Sequence, residues 1–107
     1  MNDDLEICCE ELSSRLAADD DIFLLDVREA WESELARIDG STLIALHTLQ
    51  ARVMEIPRDR EVVAYCHHGM RSLAAARYLR QEGFRARSLK GGIDHWSIAL
   101  DPTTPRY

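Results

Sequence analysis

No stretch of this chain stays apolar for the roughly 20 residues that a bilayer-spanning helix requires. Its first residues lack a basic start followed by an apolar run and carry Asp3, Asp4 and Glu6 instead. That pattern argues against a signal peptide and a membrane partner, and it sets a cytoplasmic location as the expectation. Cysteine is scarce, with only Cys8, Cys9 and Cys66. An odd count with an adjacent pair is not the disulfide framework of a secreted domain and suits a reducing compartment. There is no C-x-x-C, and no His/Cys spacing reads as a zinc site, so neither a metal nor another cofactor is expected. Internal repeats, linkers and low-complexity segments are missing too. What remains is 107 residues of ordinary globular composition, enough for one compact domain over residues 1–107. A chain of this size buries roughly 60–70% of its unfolded surface and needs no disulfide to fold.

The formal net charge is −6, unevenly placed. Residues 1–21 hold eight acids against Arg15, a balance of −7, whereas residues 58–90 hold eight bases against three acids, a balance of +5. The basic stretch has two readings, a solvated charged face or a local positive field that draws in a small anion. It shows no interleaved aromatic pattern, which makes nucleic acid a poor candidate partner.

Four short apolar runs alternate with helical patterns. The runs are Ile22-Phe23-Leu24-Leu25, Leu43-Ile44-Ala45-Leu46, Val62-Val63-Ala64-Tyr65 and a weaker one from Arg85 to Leu89. Short runs without polar alternation fit strands of a parallel sheet buried on both faces. Helices are predicted over Cys9 to Ala18, Glu29 to Leu35, Thr48 to Ile56 (stopped by Pro57), Ser72 to Glu82 and Ile93 to Ala99. Gly83 stands where a left-handed C-terminal cap belongs. The alternation predicts an α/β domain, a parallel β-sheet of about five strands flanked by helices on both faces. Residues 101–107, with Pro102 and Pro105, are expected to form an extended tail. Trp31 and Trp96 are expected in the core. His47 is expected to be a loop or helix-start residue.

The segment Cys66-His67-His68-Gly69-Met70-Arg71-Ser72 joins the third run to the clearest helix. Ligand sites in open α/β sheets lie beyond the carboxyl ends of strands. A loop entering a helix presents unpaired N–H groups with the positive end of the helix dipole behind them, an anion cradle. Gly69 permits the positive φ that such a curl often needs. A thiol at a helix start and beside a cation is activated as a nucleophile. Cys66 is therefore the candidate nucleophile, with Arg71 as a planar fork for an oxyanion.

This loop, with its C-x-x-G-x-R-S pattern, resembles the active-site loop of the rhodanese superfamily. Leu25-Asp26-Val27-Arg28-Glu29-Ala30-Trp31-Glu32 is similar to the family's D-V-R-E-x-x-E segment, and Gly91-Gly92-Ile93-Asp94-His95-Trp96 to its G-G-x-x-x-W close. The ending, Asp101-Pro102 to Pro105-Arg106-Tyr107, looks like that of single-domain bacterial members. Where the family often has His-Ile-Pro-Gly-Ala, this chain has Arg37-Ile38-Asp39-Gly40-Ser41. The resemblance implies the rhodanese-like fold and a sulfurtransferase. Such an enzyme takes a sulfane sulfur from a small anionic donor such as thiosulfate onto Cys66 as a persulfide. It passes that sulfur to cyanide, a thiol or a partner protein. His67, His68, Gly69, Met70, Arg71 and Ser72 would contact substrate, and Asp26 and Arg28 would support the site through a polar network. His67 and His68 are read as loop-lining groups without proton transfer, because an ionised thiol needs no base. Ser72 either reaches the sulfur or caps the helix. Cys8 and Cys9 are read as one exposed and one buried bystander, with a resolving thiol as the alternative.

Two other functions fit the same fold. A phosphatase or arsenate reductase of the cell-cycle phosphatase type resembles C-x5-R, whereas Cys66 and Arg71 are separated by four residues. The shorter loop suits a sulfur atom rather than a whole phosphate. A non-catalytic rhodanese-like binding module commonly lacks the cysteine that this chain has.

Overall fold

The computed structural model describes residues 3–107. Five strands, β1 (Glu6–Ile7), β2 (Ile22–Asp26), β3 (Thr42–Leu43), β4 (Glu61–Tyr65) and β5 (Ala86–Leu89), form one sheet in the order β1-β5-β4-β2-β3. Every pairing is parallel. The Val62–Tyr65 run is thus the central strand, in register with β2 from Ile22 opposite Glu61 to Asp26 opposite Tyr65. Side chains of β4 alternate between two cores. Val62 and Ala64 join Leu25, Val27, Ala75, Ala76 and Leu79 on one face. Val63 and Tyr65 join Ile7, Cys9, Leu12, Leu89 and Ile93 on the other. Helices α3 (Leu49–Arg52) and α4 (Met70–Gln81) supply the first face; α1 (Cys9–Ala17) and α5 (Gly92–Ala99) supply the second. The expected parallel sheet with helices on both faces is therefore present.

Helix α4 ends as Gly83 predicts. Gly83 sits at φ +93°, its N–H bonds the Arg80 carbonyl at 3.1 Å, and the Phe84 N–H bonds the Leu79 carbonyl at 3.0 Å, which is a Schellman cap. α4 also starts two residues earlier than predicted, because Gly69 at φ +110° caps it directly. Helix α2 (Ala30–Leu35) follows Glu29. The predicted 48–56 helix is shorter. Only Leu49–Arg52 is α-helical, and Val53–Glu55 tightens to a 3-10 turn before Pro57. The second apolar run pairs only through Thr42 and Leu43 before turning into a 3-10 segment at Leu46–Thr48. The tail opens with a turn at Asp101, whose carbonyl accepts from the Thr104 N–H at 2.9 Å. Ser97 donates to the Thr104 carbonyl at 2.6 Å.

Much of the basic stretch is matched by acids rather than left as a free field. Arg80 pairs with Asp4, Arg60 with Asp21, and Arg87 with both Glu11 and Glu61. Strands β1 and β5 are neighbours, so the acidic beginning of the chain packs beside the basic second half. Trp31 corrects the sequence reading. It is 59% exposed and meets the Tyr107 ring edge-on at 5.9 Å instead of lying in the core. Trp96 is part-buried against the second core. Among the described residues, no helix is long and apolar enough to cross a membrane.

Candidate active site

Cys66 follows the central strand immediately and has no solvent exposure. Its Sγ accepts hydrogen bonds from the backbone N–H of Gly69 at 3.1 Å and of Ser72 at 3.3 Å. The sulfur thus sits in the open first turn of a 12-residue helix, where backbone donors have no intrahelical partner. Gly69 makes this possible, because its left-handed backbone reverses the chain within the four residues between Cys66 and Arg71. The Ser72 hydroxyl lies 3.5 Å from Sγ. It also contacts the Ser88 hydroxyl at 2.7 Å and the Gly69 carbonyl at 3.2 Å. Met70, the first residue of α4, is 80% exposed.

The Gly91-Gly92 pair explains how the loop is held from behind. The first amides of α5 donate to the loop, Ile93 N–H to the Cys66 carbonyl at 2.9 Å and Asp94 N–H to the His67 carbonyl at 3.1 Å. A Cβ on Gly92 would overlap both carbonyls, and its φ of +64° favours glycine independently. The two glycines therefore let one helix N-terminus dock on the loop that opens another.

Arg71 does not stand free at the mouth. Its Nη1 and Nη2 donate to Oε1 and Oε2 of Glu32 at 2.7 and 2.8 Å, a bidentate pair. Glu32 also accepts from the Glu29 N–H at 2.9 Å and from the Tyr107 hydroxyl at 2.9 Å. The Arg71 hydrogen bonds, with help from Glu29 and Tyr107, outweigh burial and hold the Glu32 carboxyl at about 2. The same pairing raises the Arg71 guanidinium above its ordinary value. Burial pushes the Tyr107 hydroxyl up to about 12.

Asp26 and Arg28 lie behind this pair, both without exposure. Arg28 donates to both Asp26 oxygens at 2.8 Å, to the carbonyls of Glu32 and Ala36, and to the Tyr107 hydroxyl at 2.9 Å. These contacts use all five guanidinium donors. A polar chain thus runs Asp26–Arg28–Tyr107–Glu32–Arg71 beneath the loop.

His67 is sandwiched between rings, stacked on Tyr107 at 4.0 Å and on His68 at 4.0 Å. Burial and the neighbouring His68 hold its pKa below the ordinary histidine value. His68 is exposed and faces Asp94, with Nε2 3.5 Å from Oδ2. The sequence offered no third ligand beside the two histidines. The fold supplies Asp94, which is brought up by the docking of α5.

Cys8 and Cys9 separate as expected, Cys8 exposed and Cys9 buried. Burial, followed by Glu10, pushes the Cys9 thiol up to about 11. Cys8 Sγ accepts from the Glu11 N–H and caps α1. His47 is exposed, 3.4 Å from Glu29. Three site residues were not picked out as such from the sequence: Glu32, Asp94 and Tyr107. All three stood inside quoted landmarks, but the family pattern marked only Glu32, whereas Asp94 fell on an unspecified position of G-G-x-x-x-W.

The chain matches the model of the Rhodanese-like domain over residues 9–99. A sulfurtransferase of Allochromatium vinosum is 42% identical over 86% of this chain and 87% of its own length. The thiosulfate sulfurtransferase GlpE of Pseudoalteromonas translucida is 30% identical over 81% of this chain and 84% of its own. Among solved structures, a rhodanese-related protein of Thermoplasma volcanium superposes with a TM-score of 0.83 at 30% identity, over 89% of this chain and 92% of that one. With relatives named as sulfurtransferases over most of its length and the same fold in a solved neighbour, the chain belongs to the rhodanese-like family.

Proposed function

We propose that this protein transfers sulfane sulfur through a persulfide on Cys66. The observation that carries the reading is the position of Sγ between the Gly69 and Ser72 amides, at 3.1 and 3.3 Å. Such donors stabilise a negative sulfur without having to reorganise. With thiosulfate as donor, the Cys66 thiolate attacks the outer sulfur. The S–S bond of thiosulfate breaks, sulfite leaves with the bonding electron pair, and Cys66–S–S⁻ remains. An acceptor such as cyanide then attacks the outer sulfur and leaves as thiocyanate, which regenerates the thiolate. Charge balances in both steps, and neither needs a proton from His67 or His68. The name of the Pseudoalteromonas relative makes thiosulfate the first donor to try.

The loop has only four residues between Cys66 and Arg71, and its amides converge on one sulfur atom, which favours sulfur over a tetrahedral phosphate. Arg71 acts here through Glu32, by holding the loop, rather than as a free fork for the donor. His67, His68, Gly69, Met70 and Ser72 line the approach, while Asp26 and Arg28 support the loop from below. Unpaired thiols suit the reducing cytoplasm, where a thiol or a protein would be the sulfur acceptor. Thiocyanate formation from thiosulfate and cyanide is the test. The wild type should turn over and Cys66→Ser should not. Turnover surviving in Cys66→Ser, or hydrolysis of an aryl phosphate by the wild type without thiocyanate formation, would overturn the reading.

A further inference from the structure

Next to Cys66 in the chain, His67 and His68 meet Asp94, and the bond-making steps of sulfur transfer use none of their ligand atoms. We propose that His67, His68 and Asp94 form a binding site for a borderline divalent cation of the zinc type.

Each of the three offers one ligand atom, and these atoms lie within 4.8 Å of one another. Two imidazoles with a carboxylate are a donor set that zinc takes readily. Main-chain contacts fix the group, because the Asp94 N–H donates to the His67 carbonyl at 3.1 Å. A second observation is independent of the clustering. The Nε2 of His67 is shut away from water and has no hydrogen-bond partner. Such a nitrogen carries an unrecovered desolvation cost, which either coordination through it or reorientation of the ring about a metal would relieve.

Tetrahedral ligands at about 2.0–2.1 Å from zinc stand about 3.4 Å apart. Asp94 Oδ2 and His68 Nε2 are already at 3.5 Å. The stacked rings of His67 and His68 do not aim at one point, so His68 has to rotate. Its side chain is 64% exposed and free to do so. Arg106 orients the Asp94 carboxylate, its Nε donating to Oδ1 at 2.8 Å and its Nη2 to Oδ2 at a longer 3.4 Å, and Oδ2 also faces His68. Three protein ligands leave a fourth position for water or a small anion. A bound ion would tie the loop after Cys66 to α5. It would also place positive charge at a mouth where Arg71 is already neutralised by Glu32.

The test is calorimetric titration of Zn2+ into the full chain without a histidine tag, in a non-chelating buffer, for wild type, His68→Ala, Asp94→Asn and Cys66→Ser. Circular dichroism checks that each variant is folded. One Zn2+ per chain is expected in the wild type and in Cys66→Ser. Affinity should fall in His68→Ala and Asp94→Asn by more than the roughly 10–100-fold that loss of a supporting contact costs. This outcome does not depend on sulfur transfer, so the site stands or falls separately from it. No binding by the wild type would overturn the proposal. So would undiminished binding in both His68→Ala and Asp94→Asn, which would point to Cys8 or another group. Loss of binding in Cys66→Ser would assign the ion to the thiolate instead.

Discussion

Replacing Glu32 by glutamine tests the polar chain beneath the loop. The carboxylate accepts four hydrogen bonds, two from Arg71 and one each from the Glu29 N–H and the Tyr107 hydroxyl. A glutamine keeps the volume but turns an NH2 group toward donors that cannot accept from it. The carboxyl is lowered from 4.5 to about 2. At about 1.4 kcal/mol per unit, this corresponds to about 3 kcal/mol of stabilisation. Arg71 is 35% exposed, so water recovers part of its loss, and about 2 kcal/mol is the expected cost near neutral pH. For a domain of this size that lowers Tm by roughly 8–16 °C. The pH dependence has a definite sign. A folded-state value below the unfolded one gives stability that is full above 4.5 and is lost as pH falls through about 2. The gap between wild type and Glu32→Gln in urea unfolding should therefore be widest near neutrality and close across that window. A gap under about 0.5 kcal/mol near neutrality, or one that stays constant down to acid pH, would refute the reasoning.

Arg71→Ala leaves Glu32 buried without its partner and should cost about 3 kcal/mol in urea unfolding. Combined with Glu32→Gln, the loss should fall short of the sum by about 1 kcal/mol or more; strict additivity would deny the coupling. Ser72→Ala should cost about 1–2 kcal/mol, since Ser88 loses a buried partner, yet it should still load sulfur because both amides remain. Failure of that variant to load would assign the hydroxyl to the sulfur site. Gly92→Ala should lose more than about 2 kcal/mol, read as a drop in Tm, because a Cβ overlaps the Cys66 and His67 carbonyls.

The order of strands and helices was legible in the apolar runs, because strands buried on both faces carry few polar residues. β1 was not, since Glu6–Ile7 is two residues long and gains its place only by pairing with β5. The loop at Cys66 was legible because its residues are contiguous. The state of Arg71 was not, because its partner lies 39 residues away on α2. Trp31 was expected in the core, but on α2 it is 59% exposed and meets the Tyr107 ring edge-on. Asp94 and Tyr107 joined the site only through the docking of α5 and the tail. Local pattern carries neither contact.

Intact-mass and peptide mass spectrometry after incubation with thiosulfate tests sulfur acceptance most directly. The sulfur-transfer account predicts a gain of one sulfur atom located on Cys66, removed by cyanide and missing in Cys66→Ser. A mass unchanged by the donor, or the same gain on Cys8 with Cys66 untouched, would contradict it.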